Sequence, residues 1–139
     1  DLLMIMAARS ENIEKILSKN YGKKIILIDR FSDSTIAYQH YGLGINLNLI
    51  KQINNFVIGK FKPSLTFLSI VNKLNMSKRL KSRKLKNKYD KFKFSFYEKV
   101  QNGYVKISKK SKRYVILDSN KNNIKENSEI IINRISKLI

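Results

Sequence analysis

The 139 residues contain no cysteine. That excludes a disulfide framework, a thiolate metal site and a thiol nucleophile, and it fits a reducing compartment. Histidine occurs once, as His40. A lone imidazole with no second soft ligand makes a poor metal site, so none is expected. No apolar run reaches the roughly 18 residues of a membrane span. The opening DLLMIMAA lacks the basic leader and cleavage site of a signal peptide. These absences point to a soluble, cytoplasmic protein. Acidic residues are scarce, 10 Asp and Glu against 29 Lys and Arg, for a net charge of +19. Such an excess attracts polyanions: nucleic acid, nucleotides or an anionic membrane surface. Abundant Lys, Asn and Ile together are also what an AT-biased genome favours, so the charge has a compositional reading as well.

What is present suits one folded domain spanning residues 1–139. Hydrophobic residues make up 42% and charged residues 28%, and the length allows a real core. Residues 2–19 carry Leu2, Leu3, Met6, Ile13, Ile16 and Leu17 at helical spacing, with Gly22 as a cap. KKIILID (23–29) reads as a strand, its consecutive apolar residues suiting burial on both faces of a parallel sheet. Residues 46–59 suit a helix with Leu49, Ile50, Ile53, Phe56 and Val57 inward and Gly59 at its end. The single proline, Pro63, breaks the chain before a second strand, LTFLSIV (65–71). Helices follow at 74–83 and 92–107, the latter with Phe94, Tyr97, Val100, Tyr104 and Ile107 in register. RYVILD (113–118) is a third strand, and 123–138 a last amphipathic helix with Ile130, Ile131, Ile135 and Leu138 inward. The alternation predicts an α/β fold with a parallel sheet flanked by helices. Three strands are few for such a sheet. Together with a start at Asp1 rather than Met, this predicts a piece whose N-terminal part is missing.

The stretch DRFSDSTIAYQ (29–39) closes the predicted 23–29 strand. Ligands of open α/β sheets bind beyond the carboxyl ends of the strands. Arg30 offers a planar fork to a phosphate or carboxylate. Asp29 is placed to orient that fork or to meet a substrate hydroxyl or a metal-bound water. Ser34, Thr35, Tyr38 and Gln39 follow, the last three converging if the segment is helical. Phosphate, sugar and base edge are the ligand groups this set suits. An isolated Asp-Arg pair can also merely tie strand to loop. His40 next door reads as structural. Gly42 and Gly44 read as a turn into the 46–59 helix rather than a phosphate loop.

This stretch resembles the DR-aromatic-x-x-S-S/T-x-A-Y-Q signature of bacterial thymidylate kinases. The resemblance continues through LLMIMAAR (2–9), a helix ending in arginine. FKPSLTFL (61–68) is similar to the family's F-x-P-D-L-T strand entry. RLKSRKLKNKYDKFKFSFYEKVQNGY (79–104) looks like its basic lid and F-x-F-F/Y-x-x-V helix, and VILD (115–118) like its last strand.

The resemblance implies transfer of the ATP γ-phosphoryl to dTMP, giving dTDP, with Mg2+, on the P-loop nucleoside monophosphate kinase fold. By position, Arg9 meets the thymine carbonyl and Arg30 the dTMP phosphate, beside Asp29. Thr35 and Gln39 contact the base edge, and Tyr38 lies against the deoxyribose and disfavours a ribose hydroxyl. The lid, at about 79–91, brings Arg79, Arg83 and Lys88 as catalytic cations. The family's stacking aromatic is Ile5 here, the lid's D-R-x-E reads NKYD (87–90), and two family aspartates read Ser64 and Ile70. A homodimer through helices including 2–17 and 46–59 is expected. No G-x-x-x-x-G-K-S/T occurs, so the ATP loop is expected upstream of Asp1 and the 139 residues alone are expected to be inactive. The alternative is a basic nucleic-acid-binding α/β domain without catalysis, with its cations spread over an open face.

Overall fold

The computed structural model describes residues 1–82 and 92–138. The first helix runs as α1 (Leu2–Asn12), a wide π-helical turn (Ile13–Leu17) and α2 (Ser18–Asn20). The π turn adds a residue to the repeat. Met6, Ile13 and Leu17 are the buried residues of this helix, while Leu3 and Ile16, expected inside, are exposed. Next come α3 (Ser32–Thr35), which passes into a second π-helical stretch (Ile36–Gly42), and α4 (Leu47–Ile58). Asn46 caps α4, its side chain accepting from the Leu49 N–H at 3.1 Å. Gly59 ends it at a φ of 55° that suits glycine. Inside α4 the buried row is Ile50, Asn54 and Ile58. Leu49 and Phe56, predicted inward, point to solvent.

Strands β1 (Thr66–Ile70) and β2 (Tyr114–Asp118) pair in parallel, Thr66 opposite Tyr114 and Ile70 opposite Asp118. Between them lie α5 (Lys73–Lys81) and α6 (Phe94–Ser108), and α7 (Ile124–Ile135) follows. An Asn123/Glu126 capping box starts α7. Phe96 and Val100 are the buried hydrophobics of α6; α7 buries none of its residues fully, and Leu138 beyond it is exposed.

The predicted 23–29 strand is the main correction. The segment is not part of the sheet, which has two strands among the described residues. Ile25, Leu27 and Ile28 are 61%, 79% and 44% exposed. An extended apolar run becomes a strand only when another strand satisfies its backbone groups, and neither β1 nor β2 pairs with it.

Two small cores form among the described residues. Ile13, Leu17 and Ile58 pack with Ile26, Phe31, Val57 and Phe61. Ala37, Phe96 and Val100 pack with Tyr38, Tyr97, Tyr104 and Ile107. The second core requires close approach of α6 to the 36–42 turn. A Cβ at Gly103 would stand 2.5 Å from a Tyr41 ring carbon, and one at Gly42 would stand 2.6 Å from the Phe96 ring, so both positions need glycine.

Candidate acceptor-nucleotide site

The DR run is a tight, clamped corner. Arg30 has φ 64°, the one non-glycine residue with positive φ among those described. A side chain there costs roughly 1–3 kcal/mol, a strain that tends to persist where neighbours over-determine the backbone. Four sets of contacts do so here. Arg9 donates to the Phe31 carbonyl at 3.1 Å. Asn54 reaches the Ser32 carbonyl at 3.5 Å. The Ser34 and Tyr104 hydroxyls share a hydrogen bond at 2.5 Å. Asp33 accepts from Arg113 at 2.6 Å and from the Tyr114 hydroxyl at 2.7 Å. Arg113 also donates to Thr66.

Arg9 is the hub. Its Nη1 donates to Asn54 Oδ1 at 2.9 Å and to Met6 Sδ at 3.5 Å; its Nη2 donates to Thr35 Oγ1 at 2.8 Å and to Phe31 O. The guanidinium also lies 5.4 Å from the Phe31 ring centroid. Burial lowers its pKa, partly offset by Asp33. Arg30 is exposed and sits over the Tyr38 ring at 5.1 Å, a cation–π geometry. Burial raises the pKa of the Tyr104 phenol, and it raises that of Tyr114 together with the hydrogen bond to Asp33.

Gln39 is 1% exposed, and neither end of its side-chain amide has a partner. Such a group is costly to leave unpaired. Thr35 is 2% exposed. Asp29 is exposed, and Ile5 is half-buried on α1, one turn before Arg9. Arg79 is exposed on α5, with no side-chain hydrogen bond or ion pair to this corner among the described residues. Arg83 and Lys88 lie outside the described residues. His40 Nδ1 meets the Ile45 carbonyl at 2.9 Å and closes the turn before α4.

A cleft of about 1000 Å³ opens beside the corner. Arg30, Asp33, Ser34, Tyr38 and Tyr104 line one side, and the 25–28 segment and β1 line others. The corner's place in the sheet differs from expectation. Asp33 is tied to Arg113 and Tyr114, and through Arg113 to Thr66, so the run lies by the amino ends of β1 and β2. With 23–29 outside the sheet, the run does not follow a strand among the described residues. The carboxyl ends carry another polar group, in which Ser69 bonds Ser119 and Asn120 joins Asp118, Asn72 and Asn75. The Asn120 hydrogen bonds lower the Asp118 pKa.

Sequence reasoning missed Asn54, Asp33 and Arg113. Asn54 had a signal, a polar residue between Ile50 and Ile58 in an otherwise apolar row. Asp33 and Arg113 had none, being joined across 80 positions.

The model of the family described as thymidylate kinase matches residues 1–131. The chain belongs to the thymidylate kinase family. It is 34% identical over 139 residues to the thymidylate kinase of Staphylococcus haemolyticus, covering 96% of this chain and 68% of that protein. Against the thymidylate kinase of Ehrlichia chaffeensis it is 43% identical over 112 residues, covering 80% of this chain and 53% of that one. The crystal structure of an Ehrlichia chaffeensis thymidylate kinase superposes with a TM-score of 0.69 at 32% identity, covering 99% of this chain and 65% of the other. The chain thus spans about half to two thirds of the length of these thymidylate kinases, and the incomplete two-stranded sheet belongs to an α/β fold of that kind.

Proposed function

We propose that these residues form the dTMP-binding part of a thymidylate kinase that transfers the ATP γ-phosphoryl to dTMP, giving dTDP. The observation that carries this reading is the Gln39 amide. It is buried and unpaired, one residue after Tyr38 and one helical turn after Thr35. A pyrimidine edge offers both a carbonyl and an N–H, the two partners this amide lacks. Arg9 stands beside Thr35 to meet a ring carbonyl, through its Nε or by exchange for Met6 Sδ, a weak acceptor. Arg30 takes the phosphate, beside Asp29. Ser34 and Tyr38 border the sugar, Tyr38 disfavouring a ribose, and Ile5 covers the base. Arg9 is held inside by four bonds, which speaks against an open face for nucleic acid.

In this reading Arg79, Arg83 and Lys88 belong to a lid that brings positive charge to the migrating phosphoryl group. The ATP loop is supplied by residues upstream of Asp1, as part of a single domain of which this chain is the C-terminal two thirds. Among the described residues no three His, Asp or Glu side chains assemble as a metal site. In this reading Mg2+ arrives on the ATP phosphates, its usual way of binding. No helix among those described is long and apolar enough to cross a membrane, and the working compartment we propose is the cytoplasm.

Added dTMP is expected to raise the melting temperature of the chain by several degrees more than UMP at equal concentration, since only bound ligand stabilises the fold. Equal shifts, or none, would refute the site. Homodimerisation is proposed through α1 and α4, where Phe56 is 90% exposed and Leu49 47%. Phe56→Asp is then expected to convert a dimer to a monomer in sedimentation equilibrium without loss of helical signal. An unchanged mass would reject that face.

A further inference from the structure

We propose that Asn54 is the positioning residue for Arg9 and, through it, a determinant of which pyrimidine the acceptor site takes. The proposal rests on the dTMP-binding reading above.

Asn54 is 4% exposed, between Ile50 at 0% and Ile58 at 8% on the buried row of α4. A buried amide is costly at a position that suits leucine or isoleucine unless both its ends are bonded. Here they are. Oδ1 accepts from Arg9 Nη1 at 2.9 Å, and Nδ2 donates to the Ser32 carbonyl at 3.5 Å. Arginine has no acceptor, so the oxygen must face it and the orientation of the amide is settled chemically. Asn54 therefore links α1, the DR corner and α4 through one side chain.

The guanidinium is held from two sides, Asn54 on Nη1 and Thr35 with Phe31 on Nη2. Turning its plane breaks bonds on both sides at once. The direction of the remaining Nε–H is fixed as a result. A fixed donor bonds a ring carbonyl, which accepts, and opposes a ring amino group, because two donors then face each other. Without Asn54 the fork is free to turn about its Thr35 side, and that opposition weakens. Asn54 does not touch the base in this arrangement. It acts by keeping Arg9 pointed.

The test compares this chain with its Asn54→Leu and Asn54→Asp variants by calorimetric titration with dTMP and dCMP. Inorganic phosphate serves as competitor, and the Arg9 side-chain N–H signals are followed by NMR. Asn54→Leu is expected to lower the dTMP-to-dCMP affinity ratio roughly tenfold, to leave phosphate competition unchanged and to shift the Arg9 signals. Asn54→Asp keeps an oxygen acceptor on Arg9 and is expected to keep the ratio. A merely structural role would weaken both nucleotides and phosphate together. If Asn54→Leu does not fold, Asn54→Ser replaces it with the same expectations. An unchanged ratio in the Leu or Ser variant, a collapsed ratio in a folded Asp variant, or Arg9 signals identical across all three would each overturn the proposal. Failure of the unmodified chain to bind dTMP sinks the acceptor-site reading instead, and the Arg9 signals still decide whether Asn54 holds the fork.

Discussion

Given ATP, Mg2+ and dTMP, these 139 residues are expected to make no measurable dTDP. Phosphoryl transfer depends on positioning and on charge placed around the migrating group. The backbone N–H cradle and lysine of a G-x-x-x-x-G-K-S/T loop are absent from the sequence. Losing one preorganised donor at a charged transition state costs about 10²–10³ in rate, so losing the cradle and its lysine together removes at least ~10⁴. A coupled ADP-release assay with dTMP checks this. ATP-dependent turnover above background by this chain would overturn it, and a polypeptide extended upstream by the proposed loop is expected to recover activity. The fold accommodates such an extension. β1 pairs only with β2 among the described residues, leaving its other edge open. Ile25, Leu27 and Ile28 stand exposed beside the cleft of about 1000 Å³ that β1 also borders. An added strand there would cover apolar surface worth about 25 cal/mol per Å².

Arg9→Met is expected to cost about 3 kcal/mol of stability and to lower the melting temperature by roughly 10 °C. Methionine keeps much of the stem's bulk and removes every donor. Thr35 and Asn54, 2% and 4% exposed, then lose the partner that offsets their burial, at about 1–3 kcal/mol each. The Phe31 carbonyl loses its bond as well, and with it one restraint on the strained corner at Arg30. Urea denaturation of the two chains measures the difference. A loss below about 1 kcal/mol would mean that the four Arg9 bonds contribute little in solution. Arg9→Lys is expected to recover only part of the loss, since an ammonium cannot span acceptors on both sides of a planar fork.

Helices were legible where spacing and caps agreed. α4, α6 and α7 fall within a residue or two of expectation at their starts, because Asn46 and Asn123 supply caps and the apolar repeat is regular. The two strands that found each other were legible too. The 23–29 segment was not, since its pattern says only that it could be covered and not that a neighbour is there to cover it. Facing was the weaker inference: Phe56 and Leu138 fit a helical stripe, yet both are exposed among the described residues. At the candidate site, the motif named Arg30, Thr35, Tyr38 and Gln39, and in the structure Arg9 bonds Thr35 and Arg30 lies over the Tyr38 ring. The Asp33–Arg113–Tyr114 network lay beyond any local pattern. Bonds between residues so far apart in sequence follow from tertiary packing, which periodicity does not encode.

The parallel ladder has a kinetic consequence. Thr66 meets Tyr114 only after everything between the two strands, α5 and α6 included, has been brought round. No tight turn can join parallel strands, so this ladder cannot start as a hairpin. Closing so long a loop costs entropy before any ladder bond forms in return. Folds that depend on such distant pairings acquire them slowly. On this topology the helices, whose contacts are local, are expected to form early, and the joining of β1 to β2 is expected to set the pace of folding.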